Sequence, residues 1–184
     1  VFASGHGTNF EAIDDNIKKG YLDASIEFLV VDQKKAEVID KAKKRGVETL
    51  VLSPKDFSSK KEYEECILER LKEKDVEWIV LAGYMRIVTN VLLDAYPNRI
   101  INIHPSLLPD FRGLDAIGQA YRAKAERMGV SIHYIDSGLD TGSLIAQEGF
   151  DVDPKWTIDE CEERIHAIEH RLYTETLKKL WEEE

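Results

Sequence analysis

Short apolar runs that read as buried strands, each followed by a stretch of helical periodicity, constrain this chain more than any other feature. The strand patterns are Ser25 to Val31, Glu48 to Leu52, Trp78 to Ala82, Arg99 to Ile103, Val130 to Ile135 and Leu144 to Phe150, and Val1-Phe2-Ala3 reads as the end of another. Helical patterns lie between them, from Thr8 to Gly20, Lys34 to Arg45, Ser59 to Lys74, Asn90 to Ala95 and Asp115 to Glu126. An amphipathic pattern from Ile158 to Trp181 follows the last strand. Strands with no polar alternation are buried on both faces, and interleaved helices supply the cover. The sequence therefore predicts one doubly wound α/β domain over residues 1–184, a mostly parallel sheet with helices on both faces. Ligand crevices in such sheets lie beyond the carboxyl ends of the strands. That singles out the segments after residues 3, 31, 52, 82, 103 and 135.

Composition matters for what it excludes. Hydrophobic residues make up 43% of the 184, enough for a full core. Acidic residues outnumber basic ones by 35 to 25, and Lys and Arg form no block, so nucleic acid is not expected as a partner. Any anionic ligand must be held locally. The longest apolar stretches are far too short to span a bilayer and no signal-peptide pattern precedes them, so no membrane partner is expected and the chain reads as a soluble cytoplasmic protein. Cys66 and Cys161 sit in helical patterns without CxxC spacing, which points to packing rather than a disulfide or zinc.

Four segments carry polar groups where a crevice is expected. Ser4-Gly5-His6-Gly7-Thr8-Asn9 follows a strand and opens a helix, so its glycines allow close backbone approach while helix N–H groups face an anion. Thr8 and Glu11 have the spacing of a capping box. The loop half fits a dinucleotide fingerprint, with Phe10 in place of the third glycine and Asp32 at the position of the ribose acid. Asn102 and His104 end a buried strand two residues apart, so both project to one side and can act on one oxyanion. Asp136-Ser-Gly-Leu-Asp140-Thr-Gly142 closes another strand, and a carboxylate from it beside His104 would favour the charged imidazole. It lacks the EF-hand pattern and its terminal Glu, so Ca²⁺ is not expected. His166-Ala-Ile-Glu169-His170 matches H-x-x-E-H, but too few residues follow it for a distant third zinc ligand, and two histidines on a packed helix explain it more simply.

Taken together, Ser4-Gly-His-Gly-Thr-Asn9, Leu81-Ala-Gly-Tyr-Met85-Arg86-Ile-Val88, Asn102-Ile-His-Pro-Ser-Leu-Leu-Pro109 and Asp136 to Gly142 resemble the phosphoribosylglycinamide formyltransferase family of purine synthesis. The resemblance runs in order over nearly the whole chain. The later motifs are those of the wider group that uses 10-formyltetrahydrofolate, and the first selects the member acting on glycinamide ribonucleotide. Methionyl-tRNA formyltransferases and formyltetrahydrofolate hydrolases carry further domains that 184 residues are not expected to hold. The resemblance implies a Rossmann-like formyltransferase fold whose N-terminal half binds the ribonucleotide and whose C-terminal half binds folate and carries the catalytic groups. By position it implies Gly7, Thr8 and Asn9 at the phosphate and Glu169 at the glycinamide amine. Lys60, Met85, Arg86, Ile87, Val88 and Asn102 are then folate-binding, as is the loop Asp136, Ser137, Gly138, Leu139 and Asp140. Asn102, His104 and Asp140 form the catalytic trio, and the Leu108-Pro109 bond is expected to be cis. The implied small molecules are 10-formyltetrahydrofolate and glycinamide ribonucleotide, with no metal, in a monomer or homodimer.

The chain departs from the family at three positions. Lys60 stands where Arg is frequent and keeps the charge without the planar fork. Asp115 stands where many members carry His, and Ser143 replaces a frequent Pro. Two other functions stay open from sequence: hydrolysis of formyltetrahydrofolate with water as acceptor, and a non-catalytic dinucleotide-binding module using Gly5, Gly7 and Asp32.

Overall fold

The computed structural model describes residues 1–184. Its strands are β1 (Phe2–Ala3), β2 (Leu29–Val31), β3 (Thr49–Val51), β4 (Ile79–Leu81), β5 (Ile100–His104), β6 (Arg127–Tyr134) and β7 (Leu144–Asp151). Its helices are α1 (Thr8–Lys18), α2 (Glu37–Lys44), α3 (Lys60–Glu73), α4 (Asn90–Ala95), α5 (Ala116–Arg122) and α6 (Ile158–Glu182). The strands form one sheet in the order β3-β2-β1-β4-β5-β6-β7. β1 to β5 are parallel, while β6 runs antiparallel to β5 and β7 antiparallel to β6. The order reverses between β1 and β4, the switch point at which the loops after those strands diverge and leave a crevice.

Side chains alternate across the sheet and build a core on each side. Phe2, Val30, Ile79, Leu81 and Ile100 pack with Tyr63 and Ile67 of α3 and Leu92 of α4. On the other face Val80, Ile101 and Ile103 meet Ile13 of α1, Ala120 of α5 and Ile165, Tyr173 and Leu177 of α6. Ala3, Leu29 and Val31 meet Phe10 of α1 and Val38 and Ala42 of α2. The Tyr173 hydroxyl donates to Leu81 O at 2.7 Å, which pins the last helix to the middle of the sheet. No helix is long and apolar enough to cross a membrane.

Several local expectations need correction. The run Ser25 to Val31 pairs only over Leu29–Val31, because its two neighbours are short, β1 meeting Val30 and Val31 and β3 meeting Leu29 to Val31. The helix expected from Lys34 begins at Glu37. The helix expected over Asp115 to Glu126 is shortened to Ala116–Arg122, since Lys124 turns left-handed at φ 52° and β6 already starts at Arg127 to pair with Asp151. The Thr8–Glu11 capping box does not form. Gly7 is the N-cap, at φ 79°, and Thr8 is already helical. Glu11 instead pairs with Lys41 at 2.7 Å and Arg45 at 3.0 Å.

Candidate active site

The site is built outward from β5. Ile101 and Ile103 are committed to the α6 side of the sheet, so Asn102 and His104 project to the opposite side, as the two-residue period requires. β6 lies antiparallel beside them, with His133 opposite Asn102 and Ser131 opposite His104. Directly opposed residues share a face. The loop after β6 therefore starts beside the amino end of β5, where Ile135 N bonds Ile100 O at 2.9 Å. It is not at the carboxyl end expected for a parallel strand after residue 135. It nevertheless folds back so that Asp140, left-handed at φ 52°, reaches both histidines. Asp140 Oδ2 is 3.5 Å from His104 Nδ1, and Oδ1 is 3.6 Å from His133 Nε2.

His104 is 5% exposed, and its Nε2 lies 2.9 Å from Phe111 O. Both ring nitrogens thus face oxygen acceptors, and only the doubly protonated ring donates to both. Burial by itself would raise the Asp140 carboxyl. Hydrogen bonds from His133 and from Gly113 N–H, with the charge of His104, outweigh that and hold it below the usual carboxylate range. His133 is fully buried, with Nδ1 2.9 Å from Tyr134 O. Its Nε2 stands between Asn102 Nδ2 at 3.4 Å and Asp140 Oδ1 at 3.6 Å. Unprotonated it accepts from Asn102; protonated it donates to Asp140. His133 was not singled out from sequence, and the period-two pattern of β6 set against that of β5 was the one signal pointing to it.

Two loops close over this cluster. Gly113 N donates to Asp140 Oδ2 at 2.9 Å, which ties the 105–113 loop to the 136–142 loop. Leu108 N donates to Ser131 Oγ at 3.0 Å, and Ser131 Oγ donates to Ser106 O at 2.6 Å. Leu108-Pro109 is cis. Asp136 is occupied by its own loop, accepting from Gly138 N–H at 2.9 Å and Thr141 Oγ1 at 2.6 Å. The Thr141 hydroxyl and that N–H hold its carboxyl below the usual range. Ser137, Gly138 and Leu139 are exposed.

At the switch point the loop after β1 meets the segment after β4. Met85 N donates to Ser4 Oγ at 2.9 Å, and Ser4 N to Gly83 O at 3.0 Å. Gly7 has no side-chain cap, so the N–H groups opening α1 remain available for an anion. Asn9 does more than sequence reading assigned to it: its Nδ2 donates to Glu169 Oε2 at 3.0 Å across 160 positions. Met85 and Ile87 are 61% and 52% exposed, while Val88 is buried. Arg86 Nε pairs at 2.8 Å with Asp32, whose side chain is fully buried. With one carboxylate oxygen on Arg86 and no exposed surface, Asp32 is not presented as the ribose acid a dinucleotide module needs. Lys60 opens α3 and is exposed. Asp115 pairs with Arg122 at 2.9 Å. His166 and His170 gain no third ligand, since no cluster of three or more His, Cys, Asp or Glu is placed to hold a metal.

Residues 1–177 match the sequence profile of the family described as Formyl transferase. The chain is 46% identical over 180 residues to the phosphoribosylglycinamide formyltransferase of Bacillus subtilis (strain 168), covering 98% of this chain and 92% of that one. It superposes on the crystal structure of glycinamide ribonucleotide transformylase 1 from Geobacillus kaustophilus with a TM-score of 0.94 at 51% identity, over 97% and 95% of the two chains. The phosphoribosylglycinamide formyltransferase of Bacillus halodurans gives the same TM-score at 48% identity, over 97% and 92%.

Proposed function

The chain belongs to the formyl transferase family, and on that premise we propose that it transfers the formyl group of 10-formyltetrahydrofolate to the amine of 5-phosphoribosylglycinamide, a step of purine synthesis. The observation that carries this reading is the group formed by Asn102, His104 and Asp140, with the buried His104 3.5 Å from Asp140, in a chain so similar to named transformylases. Asn102 and His104 are the oxyanion donors and Asp140 orients the imidazolium. Gly7, Thr8 and Asn9 take the phosphate through the helix terminus, and Glu169 takes the amine. The folate lies along Met85, Arg86, Ile87 and Val88, against the 136–140 loop, with Lys60 near its tail.

The amine nitrogen attacks the formyl carbon directly. A C–N bond to the ribonucleotide forms as the bond to the folate nitrogen breaks, and the amine proton passes to that nitrogen through Asp140 and water. The charge that develops on the formyl oxygen falls between the two donors Asn102 and His104, where one such donor is worth about 3 kcal/mol. The site works by placement and needs no covalent enzyme intermediate.

The test is a spectrophotometric transformylation assay with and without the ribonucleotide. Asp140→Asn and His104→Ala are expected to lower turnover by roughly a hundredfold or more, with circular dichroism unchanged. Wild-type turnover in Asp140→Asn would sink the assignment. Formate release that the ribonucleotide does not stimulate would favour the hydrolase instead.

A further inference from the structure

With the dinucleotide role removed, the carboxylate at the end of β2 has no use in the transfer as described. The Asp32 side chain has no exposed surface, its Oδ1 is buried without a partner, and its Oδ2 meets only Arg86 Nε, at 2.8 Å. A carboxylate so placed gives up its hydration for a single charge-assisted bond, although it has about four acceptor sites to fill. Such a pair adds little net stability, which leaves the geometry it imposes as its contribution.

That geometry bears on one segment. In the sheet β1 stands between β2 and β4, so the pair reaches over the end of β1 and ties the segment after β4 to the end of β2. The same segment is pinned at both its ends. Ser4 N donates to Gly83 O at 3.0 Å and Met85 N to Ser4 Oγ at 2.9 Å, while Thr89 N and Oγ1 donate to the buried Glu64 of α3 at 2.9 Å and 2.6 Å. Between these pins Met85 and Ile87 are left more than half exposed. Apolar side chains are thus presented on a backbone held from either side. The Arg86 side chain is 39% exposed, and with Asp32 on Nε both its terminal amino groups keep free N–H donors.

We propose that Asp32 is a positioning residue for the formyl donor, acting through Arg86 to fix the guanidinium and the backbone around it before the folate arrives. The inference rests on the reading that the folate lies along Met85 to Val88. Without Asp32 the long Arg86 side chain regains its rotamers, and the folate must order it on binding. The ribonucleotide, assigned to the start of α1 and to Glu169, makes no use of the pair. Removing Asp32 strands no buried charge, because the partly exposed Arg86 reaches water, so the fold is expected to survive the change.

The experiment measures kcat, the formylfolate and ribonucleotide KM values and the urea midpoint for wild type, Asp32→Leu, Asp32→Asn, Arg86→Ala and the double variant of Asp32→Leu with Arg86→Ala. Met85→Ala and Ile87→Ala report on the folate surface itself. Asp32→Leu is expected to raise the formylfolate KM roughly tenfold, with kcat, the ribonucleotide KM and the urea midpoint near wild type. Asp32→Asn, whose amide oxygen still accepts from Arg86, should recover most of that loss. In the double variant the Asp32 change should add nothing to Arg86→Ala, a coupling that a merely structural role does not produce. Asp32→Ala supplies the same cycle should the leucine variant not fold. If Met85→Ala and Ile87→Ala leave the formylfolate KM unchanged, the folate reading fails and this inference falls with it. If they raise it but Asp32→Leu does not, or if the Asp32 change adds in full to Arg86→Ala, the positioning role alone is wrong.

Discussion

At Gly7 the backbone sits at φ 79°, and a Cβ built there would lie 2.3 Å from Val38 Cγ2 and 2.7 Å from Val38 Cβ. The left-handed geometry turns the chain into α1, and the missing side chain lets α2 pack against the turn. Gly7→Ala meets both penalties and is expected to cost about 2–4 kcal/mol, seen as a lower urea midpoint, with a raised ribonucleotide KM. On β5 the shared face of Asn102 and His104 was legible from spacing alone, because a strand's period is two whatever surrounds it. Asp140 was legible as an acid in a glycine-bearing loop, though not by the path it takes to His104. His133 was harder to single out, since a histidine inside an apolar run looks the same whether it packs or faces a partner, and only the period of β6 set against β5 hinted at it. The expected loss of activity in Asp140→Asn follows from the same geometry: an amide in place of the carboxylate puts an N–H against a ring that must donate.

Between elements, the clearest device is Arg45, just past α2, which gathers three acids of α1: Glu11 at 3.0 Å, Asp14 at 3.0 Å and Asp15 at 2.7 Å. The Lys41 hydrogen bond, with Arg45, holds Glu11 below its ordinary range despite burial, and Arg45 does the same for Asp15. Carboxylates with depressed folded pKa values contribute stability above their unfolded pKa of roughly 4. That contribution disappears as pH falls through the folded values. Arg45→Ala should therefore cost about 1 kcal/mol at neutral pH. The gap from wild type should narrow in high salt and vanish in acid, read from urea midpoints across pH. The same contacts explain why sequence misassigned Glu11. A capping-box spacing identifies a glutamate able to reach back, but here α2 brings two cations within 3.0 Å of it, and Gly7 rather than Thr8 ends the turn. The side-chain half of the motif does form elsewhere: Ser59 and Thr157 accept from Glu62 N and Glu160 N at the starts of α3 and α6.

Across the whole molecule, α6 returns the end of the chain to its beginning. Tyr173 is 1% exposed, and its hydroxyl bonds Leu81 O at 2.7 Å and Ile101 O at 3.3 Å; one turn earlier on the same helix Glu169 meets Asn9. Tyr173→Phe removes the one donor serving both carbonyls and should cost about 1–2 kcal/mol, measured by the urea midpoint. The acidic composition bears on none of this chemistry, because the phosphate is assigned to backbone N–H groups at a helix terminus, which no charge count records. What the sequence by itself determined was local: alternation of apolar strands with helices, left-handed glycines at turns, and the two-residue spacing of Asn102 and His104. Those follow from backbone periodicity and from the conformations each residue tolerates. Only the tertiary structure decided that β6 runs back against β5, setting His133 opposite Asn102, that the loop after it folds over to His104, and that Asn9 of α1 meets Glu169 of α6. Each of these depends on which distant segments pair, and pairing is selected by the packing of the whole core rather than by any window of the chain.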